Sequence, residues 1–399
     1  MTSSRAVVLA AGEGTRLGPF TRTEPKVMIP VANRPIVEYV VQALVENGLR
    51  DIVMVVGYRK ERIMTHFQDG KEWGAKIEYV TQDKQLGTAH ALLQAADLLE
   101  DEFLVLAGDN VIDGRTVEDV LQAGAIPSVV ITESEEPSKY GVVILDGTHV
   151  QDIVEKPEER IGNLINTGIY GLDPAFLREA AQRGKKGVFD IPAILQKLAR
   201  KRKLTAIPTE GTWIDAVYPW DLIKVNAVAL QALKERIGGK VEEGVILRGP
   251  VALGEGSVLR AGAYIQGPVA IGEGCEVGPH ATIYPSTSIG ENVTIGASSV
   301  IEESLIMPDC SLGAFSYVSH SVLGRGVRSA SHFSAPAEAA TVQIEGEWHQ
   351  VPHVGSFLGE DSALGSGVNV MAGTIVGARS IAASGSTLRG TLPDGSRVT

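Results

Sequence analysis

The sequence predicts an α/β domain built on a mostly parallel sheet, followed by a solenoid of short parallel strands. Three observations carry this. Up to about residue 235, short β-branched runs alternate with segments whose apolar residues recur at helical spacing. From residue 247, aliphatic residues return every six positions. Glycine or another turn residue often follows those aliphatics, as in VALGEG and VAIGEG, and the chain carries an unusual total of 45 glycines. A chain of 399 residues also exceeds one ordinary core, so two domains are expected.

In the first half, AVVLA (6–10), DIVMVVGY (51–58), KIEYVTQ (76–82), FLVLAGDN (103–110) and SVVITES (128–134) read as strands covered on both faces. Between them, PIVEYVVQALVENG, RKERIMTHFQ and GTAHALLQAADLLE read as helices. Strand–helix–strand alternation implies a parallel sheet with helices on both sides. Ligands in such sheets sit at the carboxyl ends of the strands, where a glycine loop follows the first strand and Asp109 ends FLVLAGD. VALQALKERIGG reads as a helix leaving the domain. The expected division is 1–228, a linker helix over 229–244, and 245–399.

In the second half, Leu247, Leu253, Leu259, Ile265, Ile271, Val277, Ile283, Ile289, Ile295, Ile301 and Met307 keep the six-residue spacing. Neither a helix nor a hairpin sheet has that period. A coil of three short strands does, with each aliphatic pointing inward and a small residue turning each corner. The spacing breaks across 308–355, then resumes at Leu358, Leu364, Val370 and Val376, and more weakly at Ala382 and Leu388.

A net charge of −12 argues against a general nucleic-acid binder, which would carry a basic face. The opening MTSSRAVVLAAGEG has too short an apolar run for a signal-peptide core or a membrane span. Cys275 and Cys310 are the only cysteines and lack zinc-ligand spacing. A cytoplasmic protein is expected, with no nucleic-acid or membrane partner.

The loop VLAAGEGTRLGPFTRTEPKVMIP carries the first chemistry. Gly12 and Gly14 have G-x-G spacing, but Thr15, Arg16 and Leu17 follow where a dinucleotide loop needs another glycine, and no GK[ST] is present. Glycines let backbone N–H groups converge on phosphate oxygens. Arg16 and Lys26 add two full charges, which suits a phosphoryl centre whose charge grows during reaction.

AAGEGTRL, EPKVMIPV, QLGTAHA, AGDN, KYGVV, EKP, NTGIY and WIDAVYPWD, in that order, resemble the sugar-1-phosphate nucleotidylyltransferases. With the hexapeptide tail, the resemblance extends to the archaeal two-domain nucleotidylyltransferase/acetyltransferases, which are GlmU-like. It implies a Rossmann-like nucleotidyltransferase domain and a left-handed parallel β-helix. It also implies that an NTP, UTP or dTTP, reacts with a sugar 1-phosphate such as GlcNAc-1-P or Glc-1-P, releasing pyrophosphate. Arg16 and Lys26 would be catalytic. Leu9, Ala10, Ala11, Gly12, Gly14, Thr15, Gln82, Gly87 and Thr88 would bind the nucleotide. Gly141, Glu155, Lys156, Asn166 and Thr167 would bind the sugar phosphate, and Asp109 and Asp215 would hold Mg²⁺. The nucleophile is already an anion, so no general base is required, and His90 is expected to be packed or hydrogen-bonded.

The resemblance further implies a homotrimer, or a dimer of trimers, through the solenoid. Relatives active in acetyl transfer carry H-x-S-Y-V, and an asparagine in the loop that interrupts the solenoid. Here the stretch is AFSYV, with Tyr317 kept and Ala314 in place of histidine, and HFSAPAEAATVQIEGEW has no asparagine. Acetyl-CoA is therefore expected only if His320 or His332 substitutes as the base. A non-catalytic assembly or regulatory role is the remaining alternative, against which the joint presence of Arg16, Lys26, Asp109 and Asp215 argues.

Overall fold

Alternation along Arg5–Ala10 (β1) sends Val7 into one core and Ala6, Val8 and Ala10 into another, one on each face of a nine-stranded sheet. The computed structural model describes residues 5–399, so the first residues of the expected domain 1–228 lie outside the described residues. The sheet contains β1, Asp51–Val56 (β2), Lys76–Thr81 (β3), Phe103–Ala107 (β4), Ser128–Glu133 (β5), Gly141–Asp146 (β6), His149–Glu155 (β7), Leu164–Leu172 (β8) and Thr205–Pro208 (β9). Its order is β3-β2-β1-β4-β8-β5-β9-β7-β6. The half from β3 to β4 is parallel, as the sequence predicts. The other half is mixed, because β8 runs antiparallel to β4 and β5, and β6 and β7 form a hairpin turned at Gly147-Thr148.

Helices Ile36–Glu46 (α1), Lys60–Phe67 (α2) and Thr88–Gln94 (α3) fall where the apolar spacing puts them or close by, and Gly114–Ala123 (α4), Pro174–Gly184 (α5) and Ile191–Ala199 (α6) complete the covering layers. Asp113 caps α4 by accepting from the Thr116 N–H at 3.1 Å, and Asp173 caps α5 through the Phe176 N–H at 2.9 Å.

Two compact units result. The first is Met1–Glu13, Pro25–Met28 and Ile36–Asp215, and the second is Gly14–Glu24, Ile29–Pro35 and Ala216–Thr399. The short N-terminal segments join the second unit for a local reason. Asn226, on helix Asp221–Gln231 (α7), accepts from the Ala32 N–H at 2.8 Å and donates to the Ser286 carbonyl at 2.9 Å, while Asn33 donates to the Ile289 carbonyl at 2.7 Å. The helix expected over 229–244 ends instead at Gln231. Strands Arg236–Ile237 and Lys240–Val241, separated by Gly238-Gly239, already form the first coil. Pairing with the next coil outweighs the helical spacing of that stretch.

The solenoid is a left-handed parallel β-helix of three sheets with nine, nine and eight strands. The six-spaced aliphatics from Leu253 to Ile301 line its buried axis. Leu253 pairs with Ile271, and Ile271 with Ile289, a coil of 18 residues. From there the coil shortens to 17, pairing Ile289 with Ile306, Ile295 with Leu312 and Ile301 with Val318. The inward position is thus Ile306, not Met307. The expected break across 308–355 is largely absent, since Leu312, Val318, Leu323 and Ala335 continue the axis in the new count. The shortened corners are Glu302-Glu303-Ser304 and Ser319-His320-Ser321, where Glu303 and His320 take positive φ. The true interruption is a hairpin, Glu338–Ile344 with Glu347–Val354, after which Leu358 pairs with Leu323. Cys275 and Cys310 are buried in this axis, and burial pushes the Cys310 thiol up to about 12. Among the described residues no helix is long and apolar enough to cross a membrane.

The change of count has a measurable consequence. Ile306→Ala should lower unfolding stability by about 2–5 kcal/mol in denaturant melts, as truncation of an axial residue does. Met307→Ala should cost distinctly less; the reverse order would refute the 17-residue register.

Candidate active site

β1 ends where three chain segments crowd together. A Cβ on Gly57 would lie 2.9 Å from the Ala11 carbonyl oxygen, and one on Gly108 would lie 3.0 Å from that of Leu9. The Leu9 carbonyl accepts from Gly108 N–H at 2.9 Å. That of Ala11 accepts from Tyr58 N–H at 3.2 Å and from Gln85 Nε2 at 2.8 Å. Leu9, Ala10 and Ala11 are therefore held by their carbonyls, and the chain leaves them through exposed Gly12. Gly14 sits at φ 70°, ψ 42°, a left-handed conformation suited to glycine, and opens the single turn Thr15–Leu17. In that turn Thr15 Oγ donates to Glu345 Oε1 at 2.7 Å, and Arg16 Nε lies 3.3 Å from Glu345 Oε2.

Lys26 begins the turn Lys26–Met28, whose Val27 is buried in the core. Its ammonium lies 2.6 Å from Asp109 Oδ2 and 3.9 Å from Asp215 Oδ2. Backbone pairing brings the two aspartates together, since Trp213–Asp215 runs antiparallel to Asn110–Ile112 and sets Asp215 opposite Asn110. Tyr140 fixes the second carboxylate by donating its hydroxyl to Asp215 Oδ1 at 2.7 Å, with its ring edge-on to Trp213. Trp213 Nε1 and Asn110 Nδ2 both donate to the Thr167 carbonyl, at 2.9 and 3.1 Å. One ammonium against two carboxylates leaves this cluster net negative. That donor set fits Mg²⁺, which binds through one or two carboxylates and completes its shell with phosphate and water oxygens. Among the described residues no group of three or more His, Cys, Asp and Glu side chains forms an all-protein metal cage.

Gln82 is buried, donates to the Gly87 carbonyl at 3.2 Å, and lies 2.9 Å from His90 Nδ1, which gives His90 the hydrogen-bonded role expected of it. Gly87, at φ 139°, runs so close to Asp190 that a Cβ would meet its Oδ1 at 2.6 Å. Thr88 Oγ accepts from the Ile191 N–H at 2.9 Å at the start of α6. In the other half of the sheet, Gly141 pairs with Glu155 across the β6–β7 hairpin, and a Cβ at Gly141 would lie 2.8 Å from Glu155 Oε2. Burial raises the Glu155 pKa; neighbouring Lys156 pulls it down and Asp190 adds to the rise. Lys156 itself adopts φ 44° and donates its N–H to the Tyr140 carbonyl at 3.0 Å. Asn166 donates to the Tyr170 hydroxyl at 2.9 Å, and Thr167 Oγ donates to the Val130 carbonyl at 2.8 Å.

Of the residues read from sequence, three groups lie in the first unit: Lys26 with Asp109 and Asp215, Gln82 with Gly87 and Thr88, and Gly141 with Glu155 and Asn166; Gly14, Thr15 and Arg16 lie in the second. Sequence reasoning passed over Gly57, Gln85, Gly108, Tyr140 and Asp190. Tyr140 stands inside the quoted KYGVV, but its contact with Asp215 spans 75 residues and leaves no local signal. In the solenoid, Tyr317 donates to Glu302 Oε2 at 3.0 Å. His320 Nε2 lies 3.1 Å from Glu303, its ring meets His353 edge-on at 4.2 Å, and burial holds its pKa down against the pull of Glu303. His332 stacks on exposed Phe315.

Comparison with known proteins agrees with this geometry. Residues 5–232 match the nucleotidyl transferase family, and residues 265–389 match the GMPPB C-terminal domain. The chain is 39% identical over 387 residues to the bifunctional protein GlmU of Methanococcus maripaludis strain C7, covering 94% of this chain and 92% of that protein. The GlmU of Methanocaldococcus jannaschii is 33% identical over 381 residues, 93% and 91% of the two chains. The UTP–glucose-1-phosphate uridylyltransferase AglF of Haloferax volcanii is 37% identical over 226 residues, 54% of this chain and 93% of that protein. A solved structure of a putative glucose-1-phosphate thymidylyltransferase from Bacillus anthracis superposes with a TM-score of 0.53 at 27% identity, covering 56% of this chain and 94% of that one. A half of the chain that ends its first strand in a glycine loop, sets a lysine against two aspartates and matches this family along its length leaves one assignment: the chain belongs to the nucleotidyl transferase family.

Proposed function

We propose that this chain joins a pyrimidine nucleoside triphosphate, UTP or dTTP, to a sugar 1-phosphate, GlcNAc-1-P or Glc-1-P, and releases pyrophosphate. The observation that carries it is Lys26 Nζ held at 2.6 Å from Asp109 and 3.9 Å from Asp215. The names of the uridylyltransferase and thymidylyltransferase relatives support the substrate class. A sugar 1-phosphate oxygen attacks the α-phosphorus as pyrophosphate leaves in line. The attacking group is an anion, so the protein's task is to position it and to offset growing negative charge. Lys26 exchanges its carboxylate partners for α-phosphoryl oxygens. Arg16, Thr15 and the loop glycines Gly12 and Gly14 hold the triphosphate. Gln82, Gly87 and Thr88 read the base. Gly141, Glu155, Lys156, Asn166 and Thr167 take the sugar and its phosphate. Asp109 and Asp215, the latter set by Tyr140, would hold Mg²⁺, which when bound supplies Lewis-acid neutralisation of the phosphate oxygens.

We assign the solenoid to assembly, as a trimer, rather than to acetyl transfer. Ala314 stands where a base is required, and the Tyr317 hydroxyl is turned to Glu302.

A matrix of NTPs against sugar 1-phosphates, read by pyrophosphate release, tests the reaction; silence across the matrix refutes it. Lys26→Ala and Asp109→Ala should each lower kcat by about 10²–10³-fold, as loss of one preorganised charge-stabilising group does. Near-normal turnover in either removes the assigned site. Glu155 gives a pH test. Its folded-state pKa is raised, so the folded protein loses stability as pH climbs from the ordinary glutamate range through the raised value. Glu155→Gln should therefore melt higher than the parent at neutral pH, with the gap closing below about pH 4, while its KM for the sugar phosphate rises. The sedimentation mass of the full chain should equal three copies; a monomer rejects the assembly role.

A further inference from the structure

The hairpin that interrupts the solenoid ends in a two-residue turn, Glu345-Gly346, between strands that pair Ile344 with Glu347. Both turn residues have positive φ, 51° and 89°. Such turns favour Asn-Gly or Asp-Gly, and a glutamate in the left-handed region costs about 1–2 kcal/mol. A strained residue kept at a tip needs an explanation in what its side chain does. Here the carboxylate accepts from Thr15 Oγ at 2.7 Å and pairs with Arg16 Nε at 3.3 Å, and these residues all lie within the second unit. Thr15 and Arg16 are the two side chains of the loop read above as triphosphate ligands.

The hairpin is not needed to continue the coil, because Leu323 pairs directly with Leu358 across it. It is an appendage anchored along its length. Tyr218 and Trp220 pack on His349, His353 meets His320, and Val342 and Val354 are buried. Two more solenoid carboxylates engage the same N-terminal segment: Asp394 lies 3.5 Å from Arg22 Nε, and Glu360 accepts from Thr23 Oγ. Neither touches a residue read as a nucleotide ligand. Of the three, only Glu345 puts its negative charge where a phosphate oxygen is expected.

We propose that Glu345 is a built-in anion that occupies the phosphate-binding side chains Thr15 and Arg16 and must be displaced when a triphosphate binds, so that the hairpin sets the affinity for nucleotide. The inference rests on the reading of this loop as a triphosphate site. Displacement frees the Thr15 hydroxyl and the Arg16 guanidinium for phosphate oxygens. The pair is half-exposed, so the competition is modest, worth about two- to tenfold in affinity.

The test uses the full chain, titrated calorimetrically with inorganic tripolyphosphate and with UTP. Glu345→Asn removes the charge and shortens the side chain, and it places a residue that favours positive φ in the turn, so the hairpin still folds. Glu360→Gln and Asp394→Asn serve as controls that loosen the same segment elsewhere. The expected result is tripolyphosphate binding about two- to tenfold tighter in Glu345→Asn, parent-like affinity in both controls, and faster hydrogen exchange over 338–354 when the parent binds. Equal affinity in parent and Glu345→Asn overturns the proposal, as does an equal gain in the controls or hairpin exchange that binding leaves unchanged. Pyrophosphate release separates this from the reaction itself. Turnover with unchanged affinities keeps nucleotidyl transfer and removes the role of Glu345. Shifted affinities with no turnover for any NTP do the opposite. Failure of tripolyphosphate and of UTP to bind either protein, with no pyrophosphate released, overturns both.

Discussion

The close approach of backbone to backbone at the carboxyl end of β1 is the constraint from which the first unit follows. Gly57 closes on Ala11 and Gly108 closes on Leu9, at distances a side chain would not permit. With no Cβ on either flank, the carbonyls of Leu9 and Ala11 are satisfied by the neighbouring segments, and the glycine loop leaves the sheet from there. The same approach delivers Asp109, one residue beyond Gly108, to the strand edge that Lys26 faces. Bulk at either glycine would push apart the segments whose meeting makes a charged cluster, so this packing and the chemistry share one cause.

The solenoid shows a different economy. Its core is one aliphatic column, and each coil adds a rung whose hydrogen bonds go to the coils on either side. Dropping one residue at a corner leaves the column intact as long as the strands on either side of it still pair with the neighbouring coils. The register does this between Ile289–Ile306 and Val318–Ala335. An insertion is tolerated for the same reason, because the hairpin leaves from one corner and the next rung pairs as if it were absent. The solenoid can therefore carry an appendage to a distant segment of chain at little cost to its own packing.

The fold was legible where a residue's role is periodic and illegible where it depends on a count. β-branched runs bounded by helical spacing marked β1 to β5, and six-residue spacing marked the solenoid through Ile301. One deleted corner residue then moved every aliphatic off the template. A reader tied to six sees a break at Met307, whereas the chain continues through Ile306, Leu312 and Val318. The helix expected over 229–244 failed on similar grounds: Ile237 and Val241 satisfy a helical pattern locally, but pairing to Leu253 and Leu259 decides. For the candidate site, ordered motifs pointed to Lys26, Asp109 and Asp215, which the fold brings together, and to Gln82 and Glu155. They missed residues whose importance is purely geometric. Gly57 and Gly108 are ordinary strand-end glycines until their neighbours are known, and Tyr140 is an ordinary tyrosine until Asp215 is found beside it.

Charge explains why these residues must meet as a group. Lys26 retains little exposure among two carboxylates, and breaking a buried ion pair from one side is costly because the remaining charge loses its partner. Two acids against one base leave an excess negative charge, so the cluster alone would repel a polyphosphate. Two cations of the loop stretch are each held by acids: Lys26 by Asp109 and Asp215, and Arg16 by Glu345. Both cations are thus held by carboxylates in the protein alone. On the function proposed above, phosphate would reach these cations by exchange of one anion for another, at the little-exposed Lys26 and at the half-exposed Arg16 alike.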